Sequence, residues 1–313
     1  MNPPPLSSAH RWYLYQKERF PVAAHGLLIA AFSSCAVSFS WLLRQSAPPP
    51  RPDAFAIAFL TAFLIFLQLR IADEFKDHAE DFRWRPWRPV PRGLVTLREL
   101  ASIGVGAAVI QLGLALWYSI GLLAPLAVTW TWLALMTREF FVREWLVARP
   151  LTYLWTHLLI IPLTDFYATA CDWLPATGTP PAGLGWFIAA SFGNGFTLEL
   201  GRKIRAPQNE EEGTRTYSQL WGIRRASAAW LASMILTAAC AIAAASEIGT
   251  ARAEAATLIP VLLAAAWTRH RFLTGPNTTS ARQLEHVTSG WTLVLYLSLG
   301  IVPMLLRVLA TAP

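Results

Sequence analysis

Residues 73–81 read DEFKDHAED and follow directly on a long apolar stretch, 54–71. If that stretch is a helix that runs on through them, Glu74, Asp77 and Asp81 fall at i, i+3 and i+7 and project from one face. Three carboxylates on one face repel each other, so the face calls for water, basic side chains or hard divalent cations, whose natural ligands are carboxylate oxygens. The run that follows, RWRPWRPVPRG at 83–93, supplies the arginines, Arg88 among them. A second charged stretch, LELGRKIRAPQNEEEGTRTYSQLWG at 198–222, offers Glu199, then Arg202, Lys203 and Arg205, then Asn209, Glu210, Glu211 and Glu212. Carboxylates alone point to divalent cations. Carboxylates interleaved with Arg and Lys point to cations shared with a polyanion, and diphosphate bridged by Mg²⁺ is the simplest such ligand.

The elements that must position these loops are membrane helices. Of 313 residues 54% are hydrophobic and only 14% charged, a balance that sets aside an ordinary soluble domain. A span needs about 20 apolar residues, and nine stretches qualify: 22–43, 54–71, 97–116, 120–136, 151–172, 182–200, 226–245, 255–268 and 287–308. The expected fold is therefore all-α, a polytopic bundle of nine transmembrane helices around one central cavity. With the N-terminus inside, 22 of the 26 Lys and Arg fall on the cytoplasmic side, and both charged loops face it. That alternation by loop also argues against nucleic acid as the partner of the net +7 charge; the expected partner is the lipid bilayer. Residues 1–21 contain HRWYLYQKERFP at 10–21, which reads as an amphipathic helix lying in the cytoplasmic interface, not as a cleavable signal. Cys35, Cys171 and Cys240 sit in separate apolar runs without metal or redox spacing, so no disulfide is expected.

With both loops on one face, the chain resembles the UbiA superfamily of intramembrane prenyltransferases. Asp73, Glu74, Asp77 and Asp81 stand at the four positions of that family's first acidic signature. Arg88, Pro89, Val90, Pro91, Arg92 and Gly93 are similar to its basic Arg-Pro run, and GTRTYSQLWG at 213–222 is similar to the stretch after its second acidic motif. Two departures stand out: Asp73 and Glu74 replace Asn and Asp, and the second motif lacks paired aspartates, leaving Glu199 with one of Asn209, Glu210 or Glu212 as substitutes.

The resemblance implies a UbiA-like transmembrane domain over 22–313 that ionises an isoprenyl diphosphate and transfers the isoprenyl group to a hydrophobic or aromatic acceptor, with Mg²⁺. It implies Asp73, Asp77, Asp81 and Lys203 as catalytic residues, Arg88, Arg202 and Lys203 on the diphosphate, and Glu74, Asp77, Asp81, Glu199 and Glu210 on the metal. A terpene cyclase of the same superfamily is the alternative, and a divalent-cation transporter the reading from another class. Independently of the resemblance, Glu199 and Lys203 have i, i+4 spacing, so the pair can close on itself and leave Arg202 and Lys203 to meet the diphosphate directly.

Three further features are weighed against plainer roles. Asp165 lies inside the fifth apolar stretch, where an ionisable group is a functional candidate, either for an acceptor or cation contact or for a structural partner. His157 reads as a satisfied buried histidine. Arg138, Glu139, Arg143 and Arg149 read as a loop whose arginines anchor the membrane orientation.

Overall fold

A computed structural model of the chain describes residues 7–45, 48–211 and 216–311; part of the 47–52 linker, Glu212 and residues 213–215 lie outside them. Among the described residues every regular element is helical. In chain order these are α1 (Ser8–Arg19), α2 (Val22–Leu43), α3 (Pro52–Lys76), α4 (His78–Trp84), α5 (Leu97–Tyr118), α6 (Leu123–Thr137), α7 (Arg143–Val147), α8 (Pro150–Leu158), α9 (Ile160–Thr177), α10 (Leu184–Arg202), α11 (Tyr217–Glu247), α12 (Ala251–Thr274), α13 (Thr278–Tyr296) and α14 (Val302–Thr311). A five-residue π turn, Leu297–Ile301, joins the last two.

Six helical segments are long and apolar enough to cross a membrane: Val22–Leu43, Pro52–Lys76, Leu97–Tyr118, Ile120–Thr137, Tyr217–Glu247 and Thr278–Thr311. The chain is an integral membrane protein, but the expectation of nine spans is met only in part. Stretches 151–172, 182–200 and 255–268 are helical, yet α8 and α9 break at Leu159, and α9, α10 and α12 carry charged residues. The reason is visible for α9, where eleven residues, Asp165 and Asp172 included, are buried. A helix shielded by its neighbours need not be apolar all round.

The helices close into one bundle. α2 packs on α3 and α9, α10 runs along α11, α11 on α12 and α12 on α13, and the π turn returns the chain to α2. Close approach of α10 and α11 depends on Gly193, where a Cβ would stand 2.6 Å from Thr237 Oγ1. Phe39, Tyr167, Phe187, Trp230 and Trp291 are fully buried in the interior. Two clefts of about 350 and 380 Å³ open between outer helices. The first, between α1, α3 and α5, is lined by apolar and aromatic side chains that include Tyr15, Phe63 and Ile71.

The ends of α3, α6 and α10 and the starts of α5, α8 and α11 gather at one end of the bundle. α1 is strapped to that end. Its Arg11 pairs with Glu99 at 2.9 Å, its Glu18 with Arg92 at 2.8 Å, and its Arg19 with Glu74. Tyr15 and Phe20 are buried beneath it. The N-terminal segment thus packs into the bundle's charged end as well as presenting an outer face.

Candidate functional site

The first loop is two helices and not one. α3 stops at Lys76 and α4 begins at His78, with Asp77 between them at φ −91° and ψ 4°. Backbone bonds from Asp77 to Asp73 (2.9 Å) and from Asp81 to Asp77 (2.8 Å) carry the chain across the kink. The carboxylates take different partners on either side of it. Glu74, with 1% of its side chain exposed, accepts a hydrogen bond from Arg19 Nε and has Arg70 at 3.6 Å. Asp81, 2% exposed, accepts from Arg85 at 2.9 Å and from Arg88 at 2.8 and 2.7 Å. The turn that delivers Arg88 ends at Gly93, whose φ of +75° suits glycine, and it is tied by Gly93 N to Val90 O and Leu94 N to Pro89 O.

Asp73 and Asp77 are left over. Asp73 is half-exposed with Arg70 at 3.5 Å, and the Asp77 side chain makes no hydrogen bond or ion pair among the described residues. Burial pushes the Asp77 carboxyl above the usual carboxylate range; Lys76 opposes the shift, while Asp73 and Asp81 add to it.

The second loop closes on itself locally. Glu199 accepts from Arg202 at 2.6 Å and pairs with Lys203 at 2.7 Å, the i, i+3 and i, i+4 contacts its spacing allows. The two basic side chains keep 66% and 40% of their surface exposed, so their free N–H groups face outward. Glu210 is a loop tie. It accepts from Thr216 at 2.7 Å and from Ser218 at 2.6 Å, and Thr216 also caps α11 through Gln219 N. Asn209 accepts from Thr278 at 2.7 Å. Gly222, at φ +74°, lets α11 kink immediately after its first turn.

The two loops share one mouth. Asp73 acts electrostatically on Arg202, and Tyr217 feels Glu199, Arg202 and Tyr153 together. The metal set Glu74, Asp77, Asp81, Glu199 and Glu210 does not assemble into a cage. Four of the five are committed to internal partners, and among the described residues no three His, Cys, Asp or Glu side chains group as metal ligands. The physical reason is that Arg or Lys side chains reach Glu74, Asp81 and Glu199 first, while the Thr216 and Ser218 hydroxyls hold Glu210. Asp73 and Asp77 are the donor pair that suits one Mg²⁺, which is bound through one or two carboxylates with phosphate oxygens and water filling the rest.

A further group at this mouth escaped the sequence reading. Lys76 Nζ donates to Tyr153 Oη at 2.7 Å and lies 3.4 Å from Glu139; Tyr153 donates to Glu139 Oε1 at 3.2 Å. The His157 ring stacks on Tyr153 with centroids 3.9 Å apart and places Nε2 3.8 Å from Glu139 Oε2. Glu139 reaches inward because Glu139, Phe140 and Phe141 all take positive φ, at 49°, 52° and 60°. For non-glycine residues each such conformation costs of order 1–3 kcal/mol and persists only where the surroundings enforce it. One signal was present: Glu139 is one of two acids, with Glu144, in an inner loop of three arginines, and Tyr153 and His157 are spaced i, i+4.

Asp165 lies about 12 Å deeper than His157 at 1.5 Å per residue. It accepts from Ser191 and, at 3.2 Å, from Tyr296, and its Oδ1 has no hydrogen-bond partner. It belongs to the bundle interior, apart from the mouth.

No protein-family model matches the sequence, and no curated protein does. Two solved structures share the fold. An apo UbiA homolog from Aeropyrum pernix K1 superposes with a TM-score of 0.67 at 13% identity, over 90% of this chain and 98% of that one. A structure described as giving insights into the biosynthesis of digeranylgeranylglyceryl phosphate synthase in membranes gives 0.55 at 13% identity, over 94% and 99%. The chain has a UbiA-like fold.

Proposed function

We propose that this chain is an intramembrane prenyltransferase, moving an isoprenyl group from an isoprenyl diphosphate to a hydrophobic or aromatic acceptor. The observation that carries the reading is the shared mouth, where two charged loops from distant parts of the chain come within electrostatic reach, with Arg202 and Lys203 open to an anion, Asp73 in a loose pair with Arg70 and the Asp77 side chain without a partner among the described residues. The fold shared with a UbiA homolog and with the digeranylgeranylglyceryl phosphate synthase structure supports the same reaction class. In this reading the mouth faces the cytoplasm, as the side with 22 of the 26 basic residues.

Ionising an allylic diphosphate places negative charge on the leaving group and positive charge on the isoprenoid carbon. Arg202 and Lys203 bind the leaving diphosphate and offset its growing charge. Arg88 holds Asp81 and so fixes the floor of the first loop. Asp73 and Asp77 would hold one Mg²⁺, which when bound adds positive charge on the diphosphate. The aromatic and apolar interior below the mouth excludes water from the allylic cation.

The test is diphosphate release by purified protein given a panel of isoprenyl diphosphates, with and without protic acceptors, Mg²⁺ and chelator. The reading expects Mg²⁺-dependent release that collapses in Asp77→Ala. Absence of release with every diphosphate would sink it; release unaffected by chelator would remove the metal and leave the transfer. A cyclic hydrocarbon formed from the diphosphate alone would mark the chain as a cyclase.

A further inference from the structure

Resting on the prenyl-transfer reading, we infer that His157, paired with Glu139, is the base that takes the proton released by a hydroxyl-bearing acceptor.

The argument starts from the tautomer. His157 Nδ1 lies 2.9 Å from the Tyr153 carbonyl oxygen, which can only accept, so Nδ1 carries the hydrogen. In the neutral ring Nε2 then presents a lone pair, and it faces Glu139 Oε2, another acceptor, across 3.8 Å. Both atoms are buried and neither has a hydrogen-bond partner. Two lone-pair-bearing atoms opposed in this way repel unless a proton or a donor group lies between them. Glu139 is not idle on its other side, since Oε1 accepts from Tyr153 and pairs with Lys76. Only Oε2 is reserved for the imidazole.

The surroundings hold the pair in place. Tyr153 stacks on one face of the His157 ring and Phe140 meets it edge-on at 5.9 Å. The left-handed run at Glu139, Phe140 and Phe141 keeps the carboxylate turned inward. Strain of this kind concentrates where a functional geometry has to be held. The pair also sits beside the first loop, because Lys76 and Asp73 both act on the imidazole. A base is needed there, next to the diphosphate and its reacting carbon.

The step balances as follows. The acceptor oxygen forms a bond to the allylic carbon, while the carbon–oxygen bond to the diphosphate breaks and its electron pair leaves with the diphosphate. The acceptor proton passes to His157 Nε2. The resulting imidazolium is then a matched partner for Glu139 Oε2, so the opposition of lone pairs in the free protein becomes an attraction as the proton arrives.

The test compares wild type with His157→Gln, using geranylgeranyl diphosphate and two probes, a 4-alkylphenol and a monoalkyl glyceryl phosphate. The readout is the ratio of probe prenylation to probe-independent diphosphate release, followed across pH. General bases contribute on the order of 10²–10⁴-fold; the expectation is that the ratio falls about 100-fold in the variant and that the acid limb of the wild-type profile disappears. An unchanged ratio, whether both rates fall together or neither falls, overturns the assignment, as does a wild-type protein that releases diphosphate but prenylates neither probe. If His157→Gln does not fold, Glu139→Gln decides on the same ratio, with about a tenfold fall expected and no fall overturning. A wild-type protein that releases no diphosphate removes the prenyl-transfer reading itself, and this assignment with it.

Discussion

The two charged loops at the mouth have similar compositions and opposite wiring. In the first, buried carboxylates are sealed by arginines from near and far: Arg19 of α1 on Glu74, and Arg85, at i+4, with Arg88 on Asp81. In the second, Glu199 is answered from its own helix end by Arg202 and Lys203, which remain largely in the open. The first arrangement joins segments of the fold and buries its charges. In the second, the Glu199 cluster is closed by its own neighbours and keeps its cations available, and only Asn209 ties the loop to a distant segment, through Thr278. A charged loop therefore supports either architecture or ligand binding according to where its counter-charges originate.

The largest effect that would break this contrast comes from Glu74→Ala. Removing one partner of a buried pair costs about 3–5 kcal/mol, since it strands Arg19 with its charge uncompensated. Thermal unfolding in detergent should show that loss, with Arg19→Met/Glu74→Met recovering most of it. A stable Glu74→Ala protein would mean the first loop is as loosely wired as the second.

Next in size, Lys203→Ala and Arg202→Ala should each raise the KM for isoprenyl diphosphate about tenfold, or ~1.4 kcal/mol. Stability should stay within about 0.5 kcal/mol, because exposed pairs contribute little. Unfolding midpoints that dropped as far as in Glu74→Ala would erase the distinction. Glu210→Ala should cost about 1 kcal/mol through the lost bonds to Thr216 and Ser218, read out as faster proteolysis near 210–218.

The smallest expected effect is in pH dependence. The folded-state pKa of Asp77 is raised by burial, so its contribution to stability is fully present below the unfolded value and is lost as pH rises through the folded value. Relative to wild type, Asp77→Asn should therefore gain stability as pH increases across that window and level off above it. A flat difference would show that Asp77 is solvated like an ordinary surface carboxylate.

Sequence reading went furthest where partners are close in the chain. The i, i+4 spacing of Glu199 and Lys203 announced their pairing. At 73–81 the condition of an unbroken helix is met only in part, since α3 and α4 meet at a kink at Asp77 and Glu74 and Asp81 take different arginine partners on either side of it.

By itself the sequence determined a helical membrane protein with its charge gathered at one end, because hydropathy and the placement of Lys and Arg are properties of local stretches that a bilayer reads directly. Only the tertiary structure decided who neutralises whom. Arg19 reaches Glu74 across 55 residues, and Lys76 meets Glu139 from another helix altogether. Such pairs follow from how helices pack and from the strained turn that aims Glu139, and no local periodicity encodes that.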